Sequence, residues 1–246
     1  MKLTIITVCY NSGKTIKDTL ESVGAIKNND VEYLIIDGGS TDDTLQIINE
    51  YRDIVDQLVS EPDDGIYYAM NKGLKLASGK WIYILNSDDY LSAVNFPEVL
   101  GYLDSSVSDI VYGNIVRISG DTRKTVGVSK PKKLSYLMRG VAVYHPAMFI
   151  TKEVYSESLG FDTKYKLASD YKVMLMAYIN KKRFKYIDRN ISFYDVGGAT
   201  ANNIHKSWRE LSNIQIEAGV PHIKAKYNYY LLVCKRKFLK LIGYLN

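Results

Sequence analysis

Through residues 1–90, short apolar runs alternate with segments whose apolar residues recur every three or four positions. Leu3–Tyr10 is rich in Ile, Thr and Val and reads as a buried strand. Ser12 stands where a cap would, ahead of a helix carrying Ile16, Leu20 and Val23 at i, i+4 and i+7. Val31–Asp37 is a second strand, followed by a Gly-Gly-Ser-Thr turn and a helix with Leu45 and Ile48. Ile54–Ser60 is a weaker third strand, Ile66–Ala77 a helix with an apolar face, and Lys80–Asn86 a fourth strand. Such β-α-β-α repetition predicts an α/β fold, with a Rossmann-like, mostly parallel central sheet and right-handed crossovers between flanking helices.

After Asp89 the rhythm changes. Pro97–Leu103 reads as a helix, Asp109–Ser119 as a long alternating strand, and Asp121–Lys133 as a basic turn region. Another strand lies near Met148, a helix runs from about Ala168 to Asn180, and strand-like pieces fall at Phe184–Ile187 and Ile191–Tyr194. Ile204–Glu217 and Ile223–Leu245 are helical. The division expected is residues 1–200 as one domain, in halves 1–90 and 91–200, with 201–246 as a helical extension.

Composition narrows the classes. The 246 residues are 46% hydrophobic and 24% charged, ordinary for a globular chain large enough to need no disulfide or structural metal. Cys9 and Cys234 lie at opposite ends, which fits a reducing compartment and a cytoplasmic location. No apolar run approaches the roughly 18–20 residues of a membrane span, and the amino-terminal stretch is too short and polar for a signal peptide. The net charge is +5, but residues 222–246 hold six cations and no acid, which leaves residues 1–221 at −1. A neutral body argues against nucleic acid as a partner.

In an open parallel sheet, ligands bind beyond the carboxyl ends of the strands. Strand one ends in Tyr10-Asn11 and strand two in Asp37-Gly38-Gly39. Strand three runs into Glu61-Pro62-Asp63-Asp64-Gly65, and strand four ends Asn86-Ser87-Asp88-Asp89. One such ending is ordinary turn chemistry; four on one edge are not. Adjacent Asp88 and Asp89 repel unless a cation sits beside them, and Mg²⁺ or Mn²⁺ bridging to phosphates would serve; a solvated acidic turn is the alternative. Tyr10 can stack on a base, Asp37 can accept a base N–H, and Gly65 opens a helix amino end to phosphate. Together these describe a nucleotide-diphosphate site.

In order and spacing, ITVCYN, IIDGGSTDDT, EPDDGIYYAMNKGL, ASGKWIYILNSDDYL and LASDYKVML resemble the family 2 glycosyltransferases of GT-A fold, over about residues 1–200. The bacterial branch that builds surface polysaccharides, O-antigen included, is the most similar. The resemblance implies that Thr7, Tyr10, Asn11 and Asp37 hold the base, and that Asp64, Gly65 and Asn71 contact the donor sugar or phosphates. It makes Asn86-Ser87-Asp88 the D-x-D element, with Asn86 in place of the usual first aspartate and Asp88 and Asp89 as ligands of Mn²⁺ or Mg²⁺. Asp170 in LASDYKVML matches the general base, at the head of a helix whose Tyr171, Met174, Leu175 and Tyr178 are apolar. The implied activity is metal-dependent, inverting transfer of a hexosyl or hexosaminyl group from a nucleotide-sugar, UDP-linked above all. The implied acceptor is a saccharide, lipid-linked in that branch.

His145 and His205 are each either a further diphosphate or metal contact or an ordinary hydrogen-bonding residue. A sugar nucleotidyltransferase is the rival enzyme, but Asn11-Ser12-Gly13-Lys14 matches its Gly-rich phosphate loop poorly. A non-catalytic nucleotide-sugar binder is favoured only by Asn86. In the tail, Tyr227, Tyr230, Leu231, Cys234, Phe238, Leu241, Ile242 and Leu245 share one helical face, and Lys226, Arg236, Lys237 and Lys240 lie off it. That helix packs on the domain or on a partner chain, as in an oligomer, or lies as a peripheral element on an anionic membrane at its inner face.

Overall fold

A computed structural model describes residues 3–119, 122–197 and 203–241. Its first half is the expected alternation: β1 (Leu3–Cys9), α1 (Ile16–Gly24), β2 (Val31–Asp37), α2 (Thr44–Glu50), β3 (Gln57–Ser60), α3 (Ile66–Leu76) and β4 (Trp81–Asn86). The second half holds β5 (Tyr90–Leu91), α4 (Phe96–Ser105), β6 (Ile110–Ile118), β7 (Thr125–Ser129), β8 (Met148–Thr151), α5 (Lys152–Glu157), α6 (Ser169–Ile179) and β9 (Phe184–Asp195). Helices α7 (Ile204–Glu217) and α8 (His222–Leu241) follow. Gly198, Ile242 and Leu245 lie outside the described residues.

The strands form one nine-stranded sheet ordered β3-β2-β1-β4-β8-β6-β9-β5, with β7 paired to β6. β3, β2, β1 and β4 are parallel, as expected. Beyond them the ladder is mixed: β8 runs antiparallel to β4 and β6, whereas β6 and β9 are parallel. Cys9 pairs with Asp37, Asp37 with Ser60 and Val8 with Asn86, so four strands end level on one edge.

β1 and β2 are buried along their whole length, because successive side chains point to opposite covered faces. Ile6, Val8, Leu34, Ile36, Ile82 and Ile84 face a core shared with α3, α5, α6 and α7. Ile5, Tyr33, Ile35, Trp81, Tyr83 and Leu85 face the other, beneath α1, α2 and α4.

Several local expectations shift. Ser12 is not a side-chain cap: Thr15 occupies the cap position, while the Ser12 carbonyl accepts from Thr15 and Ile16 and its hydroxyl meets Ser87 Oγ at 2.8 Å. β3 is shorter than expected because Asp56 turns back to accept the Tyr33 N–H at 2.6 Å. The basic turn region contains β7, and the two pieces after Phe184 are one strand, β9. β9 stays continuous through an irregularity in its pairing with β6 next to Gly113. A Cβ at Gly113 would come 2.6 Å from the Arg189 carbonyl oxygen. Gly113→Ala should therefore destabilise the protein by about 1–3 kcal/mol, lowering its unfolding midpoint in a thermal scan by roughly 3–10 °C.

Candidate active site

The level strand ends border a cleft of about 890 Å³. Tyr10, Asn11, Gly65, Asn86, Ser87 and Asp88, all singled out in the sequence, line it. One wall is the loop after β1, where Asn11 takes a positive φ of 49°, a conformation asparagine tolerates better than most residues. The loop is knitted to the segment after β2: Asn11 N–H donates to Ser40 Oγ (2.8 Å), and Asn11 Oδ1 accepts the Thr41 N–H (2.9 Å). Ser12 N–H donates to Thr44 Oγ1 and Gly13 N–H to Asp42 Oδ2. Those bonds hold Tyr10 at the mouth, 63% exposed, where a Cβ at Gly38 would rest in ordinary contact with its ring, 3.5 Å away.

Asp37 and Thr7 lie behind this wall. Thr7 is fully buried and accepts from Tyr33 Oη at 3.0 Å. Asp37 is also fully buried, and its oxygens accept from Gly39 N–H, Ser40 N–H, Ser40 Oγ and Ser60 Oγ. Burial alone would raise its pKa, but the Ser40, Ser60 and backbone donors outweigh it and hold the carboxyl below its usual value. In this geometry Asp37 builds the Gly38–Ser40 turn instead of reaching into the cleft.

The floor carries two kinds of carboxylate. Asp89 is 1% exposed; its Oδ1 accepts the Asp195 N–H (2.9 Å) and its Oδ2 accepts Asn86 Nδ2 (3.1 Å). Burial, then the charge of Asp88, push its pKa well up. Asp88 is half-buried and lines the cleft beside Asp195, and burial followed by the Asp195 charge raises its pKa too, against Arg123. Arg123 donates to the Asp88 carbonyl (3.0 Å) and pairs with Asp18 (2.6 Å). Asn86 Oδ1 is buried without a hydrogen-bond partner among the described residues.

Asp195 and Tyr194, from the end of β9, also line the cleft and were missed in the sequence. Tyr194 reads there only as the end of a strand-like piece. The signal for Asp195 was a strand-end acid before a glycine pair, the same feature that marked Asp37. Burial raises the Tyr194 pKa, and Asp89, Asp88, Asp170 and Asp195 each add to the rise, so this phenol stays protonated among four carboxylates. Asp170 itself is half-buried in the first turn of α6, where its Oδ1 accepts Tyr67 Oη at 3.1 Å. Tyr67 follows the cleft-lining Gly65 by two residues on α3.

Asn71 is placed elsewhere. It donates to the Phe161 carbonyl and accepts the Phe161 N–H, both at 2.8 Å, and lines a separate cavity of about 690 Å³ beside α6. Asp64 is exposed, with its carbonyl accepting from Lys166 Nζ at 3.2 Å. Its neighbour Asp63 lines the cleft and pairs with Lys72 at 2.6 Å. His145 is buried against Phe161 with Nε2 at 3.2 Å from Tyr155 Oη, and burial lowers its pKa. His205 is exposed and packs edge-on to Trp208.

A parallel half-sheet joined to a mixed one, with a cleft over the strand ends, defines a GT-A frame. The glycosyl transferase family 2 model matches residues 4–166, and the chain belongs to that family. A PGL/p-HBAD biosynthesis glycosyltransferase of Mycobacterium tuberculosis is 27% identical over 206 residues, covering 81% of this chain and 79% of that one. The Staphylococcus aureus poly(ribitol-phosphate) beta-N-acetylglucosaminyltransferase TarS is 25% identical over 210 residues, covering 79% of this chain and 35% of TarS.

The crystal structure of S. aureus TarS 1-349 with UDP-GlcNAc superposes with a TM-score of 0.70 at 20% identity, covering 93% of this chain and 70% of that one. The Pyrobaculum calidifontis mannosyltransferase PcManGT, in complex with GDP-Man and Mn2+, gives 0.68 at 17% identity, covering 94% and 70%. These two likenesses concern the fold.

If Asn71 is a strut, Asn71→Ala leaves the buried Phe161 N–H and C=O unpaired. Chemical denaturation should show a loss of about 2–4 kcal/mol, while titration finds nucleotide-diphosphate affinity changed less than about twofold.

Proposed function

We propose that this glycosyltransferase moves a sugar, with inversion, from a UDP-sugar to a saccharide acceptor. The acceptor is lipid-linked and the enzyme works at the cytoplasmic face of the membrane, in surface-polysaccharide synthesis. The observation that carries the reading is a single cleft that brings Asp88, Asp195 and Tyr194 together with Tyr10 and Asn11, with Asp170 near enough for its charge to help raise the Tyr194 pKa. UDP is favoured over other nucleotides by the likeness to TarS, which was crystallised with UDP-GlcNAc.

Mn²⁺ or Mg²⁺ fits the floor on two grounds. Asp88 and Asp195 are like charges in a desolvated corner, and Asn86 Oδ1 is a buried acceptor lacking a donor among the described residues. Asp88 with Asn86 Oδ1, and Asp195 beside them, would hold the ion; Asp89, with both oxygens engaged, orients that loop. Among the described residues no three His, Cys, Asp or Glu side chains form a ready-made cage, as expected of a hard cation that takes its remaining ligands from phosphate and water. When bound, the ion supplies Lewis-acid stabilisation of the departing diphosphate.

This chain's residues do the rest. Tyr10 stacks on the base and the Asn11–Gly13 loop fixes its edge. The amino end of α3, opened by Gly65, favours phosphate. Asp170 accepts the acceptor hydroxyl's proton as that oxygen bonds to the anomeric carbon and the bond to the diphosphate breaks, its electron pair leaving with the phosphate oxygen. Tyr67 Oη orients the Asp170 carboxylate during that transfer.

Against a panel of UDP- and GDP-sugars with Mn²⁺, one UDP-sugar should be transferred or slowly hydrolysed; absence of nucleotide-diphosphate binding under every metal condition would falsify the transferase reading. Asp170→Asn should lower kcat by about 10²–10⁴, or roughly 3–5 kcal/mol of barrier, with little change in donor KM. Asp88→Asn removes a repelled, desolvated charge. Its unfolding midpoint without ligand should equal or exceed the parent's, while metal-dependent nucleotide affinity falls about tenfold or more.

A further inference from the structure

Helix α8 is apolar on two opposite sides, and only one of them is covered. Its inner side is fastened to the domain: Ala225 and Asn228 are buried, and Asn228 Nδ2 donates to Gln215 Oε1 of α7 (3.0 Å) and to the Met138 carbonyl (3.4 Å). On the outer side, Ile223, Tyr227, Tyr230, Cys234, Phe238 and Leu241 recur at i, i+4, i+7, i+11, i+15 and i+18. All six are exposed, and the five other than Cys234 range from 60% at Tyr230 and Phe238 to 85% at Ile223. The stripe is about 27 Å long at 1.5 Å per residue.

Charge identifies what covers it. At 100° per residue, Lys224 and Lys235 fall on one shoulder of the stripe and Lys226 and Lys237 on the other, all four exposed. The helix contains no acid. We propose that this outer face docks on an anionic lipid bilayer, with the aromatic and aliphatic side chains in the headgroup–acyl boundary and the lysines reaching up to the phosphates. A second copy of the chain fits worse, since pairing two such stripes sets lysines against lysines with no carboxylate between them. The helix does not span: no helix among the described residues is long and apolar enough to cross a membrane.

The inner side gives the docking a consequence. Asn228 holds Gln215, Gln215 Nε2 donates to Tyr171 Oη (3.0 Å), and Tyr171 donates to the Leu137 carbonyl. Tyr171 is the neighbour of Asp170 on α6. A bilayer-bound α8 therefore fixes the height and tilt of the acceptor side relative to the lipid surface. The surface stands without the transferase reading; this consequence rests on it.

Vesicle flotation of the full chain decides the matter. Binding to phosphatidylcholine vesicles containing phosphatidylglycerol should be strong and fall steeply with salt, with little binding to phosphatidylcholine alone. Tyr227→Glu/Phe238→Glu should cut the bound fraction about tenfold, and so should Lys224→Gln/Lys226→Gln/Lys235→Gln/Lys237→Gln, while both keep the parent's unfolding midpoint and UDP affinity. Negligible or equal binding to both vesicle types overturns the proposal. So does self-association in sedimentation that these variants abolish while vesicle binding is unchanged. Asp170→Asn should float like the parent, so a failed base assignment and a failed docking surface give different results.

Discussion

Four aspartates meet at the carboxyl edge of one sheet, and the fold satisfies two of them. Asp37 is surrounded by Ser40, Ser60 and backbone donors, and Asp89 holds Asp195 N–H and Asn86 Nδ2. Asp88 and Asp195 remain as like charges on the cleft floor, Asp195 with one oxygen accepting the Gly197 N–H at 2.7 Å. A desolvated carboxylate without a partner costs free energy that a like neighbour increases. That cost is modest for half-buried Asp88, yet its sign is fixed, and a bound cation and diphosphate reverse it. The two satisfied aspartates make this possible, because they hold rigid the turns that would otherwise relax the repulsion away.

The acceptor side is built onto the donor side through one helix. From α3, Gly65 opens to the cleft, Tyr67 reaches Asp170, Asn71 clamps Phe161, and Lys72 pairs with Glu61 and Asp63. Those contacts come at spacings of one to four residues, so they leave the helix in different directions and join three segments. Gly160, at φ 76°, brings its backbone so close to Asn71 Oδ1 that a Cβ there would lie 2.5 Å from it. Positioning of two substrates thus depends on a strut that touches neither.

How far the sequence could be read follows from how local each determinant is. The parallel half was legible because β1 and β2 are buried on both faces and read as continuous apolar runs. The cleft loops were legible because their Asx and Gly residues are consecutive. The mixed half was not, since β8 and β9 take their direction from tertiary pairing with β6 and from the irregularity beside Gly113. Asn71 looks like a ligand-facing polar residue in the sequence and Ser12 like a helix cap, and only the fold supplies the Phe161 backbone and the Ser87 hydroxyl they meet. Asp195 lies more than a hundred residues from Asp88, and nothing in its own segment announces that the two share a floor.

Asn86 gains a physical rationale from the same arrangement. The resemblance leads one to expect aspartate there, and its amide could be taken for a sign of lost catalysis. Asn86 Nδ2 lies 3.1 Å from Asp89 Oδ2, however, so a carboxylate at 86 would face a carboxylate already buried beside Asp88. Such a cluster could not stay ionised without a permanent counter-charge. The amide instead donates inward, where Asp89 needs a proton donor, and keeps its carbonyl oxygen as a neutral acceptor at the cleft. Charge removed at 86 is replaced across the floor by Asp195, which the β9 strand end delivers to the same cleft. The substitution thus moves negative charge from one wall to the other, and leaves the floor with the carboxylates of Asp88 and Asp195, the latter with one oxygen on the Gly197 N–H, for a metal-bridged diphosphate.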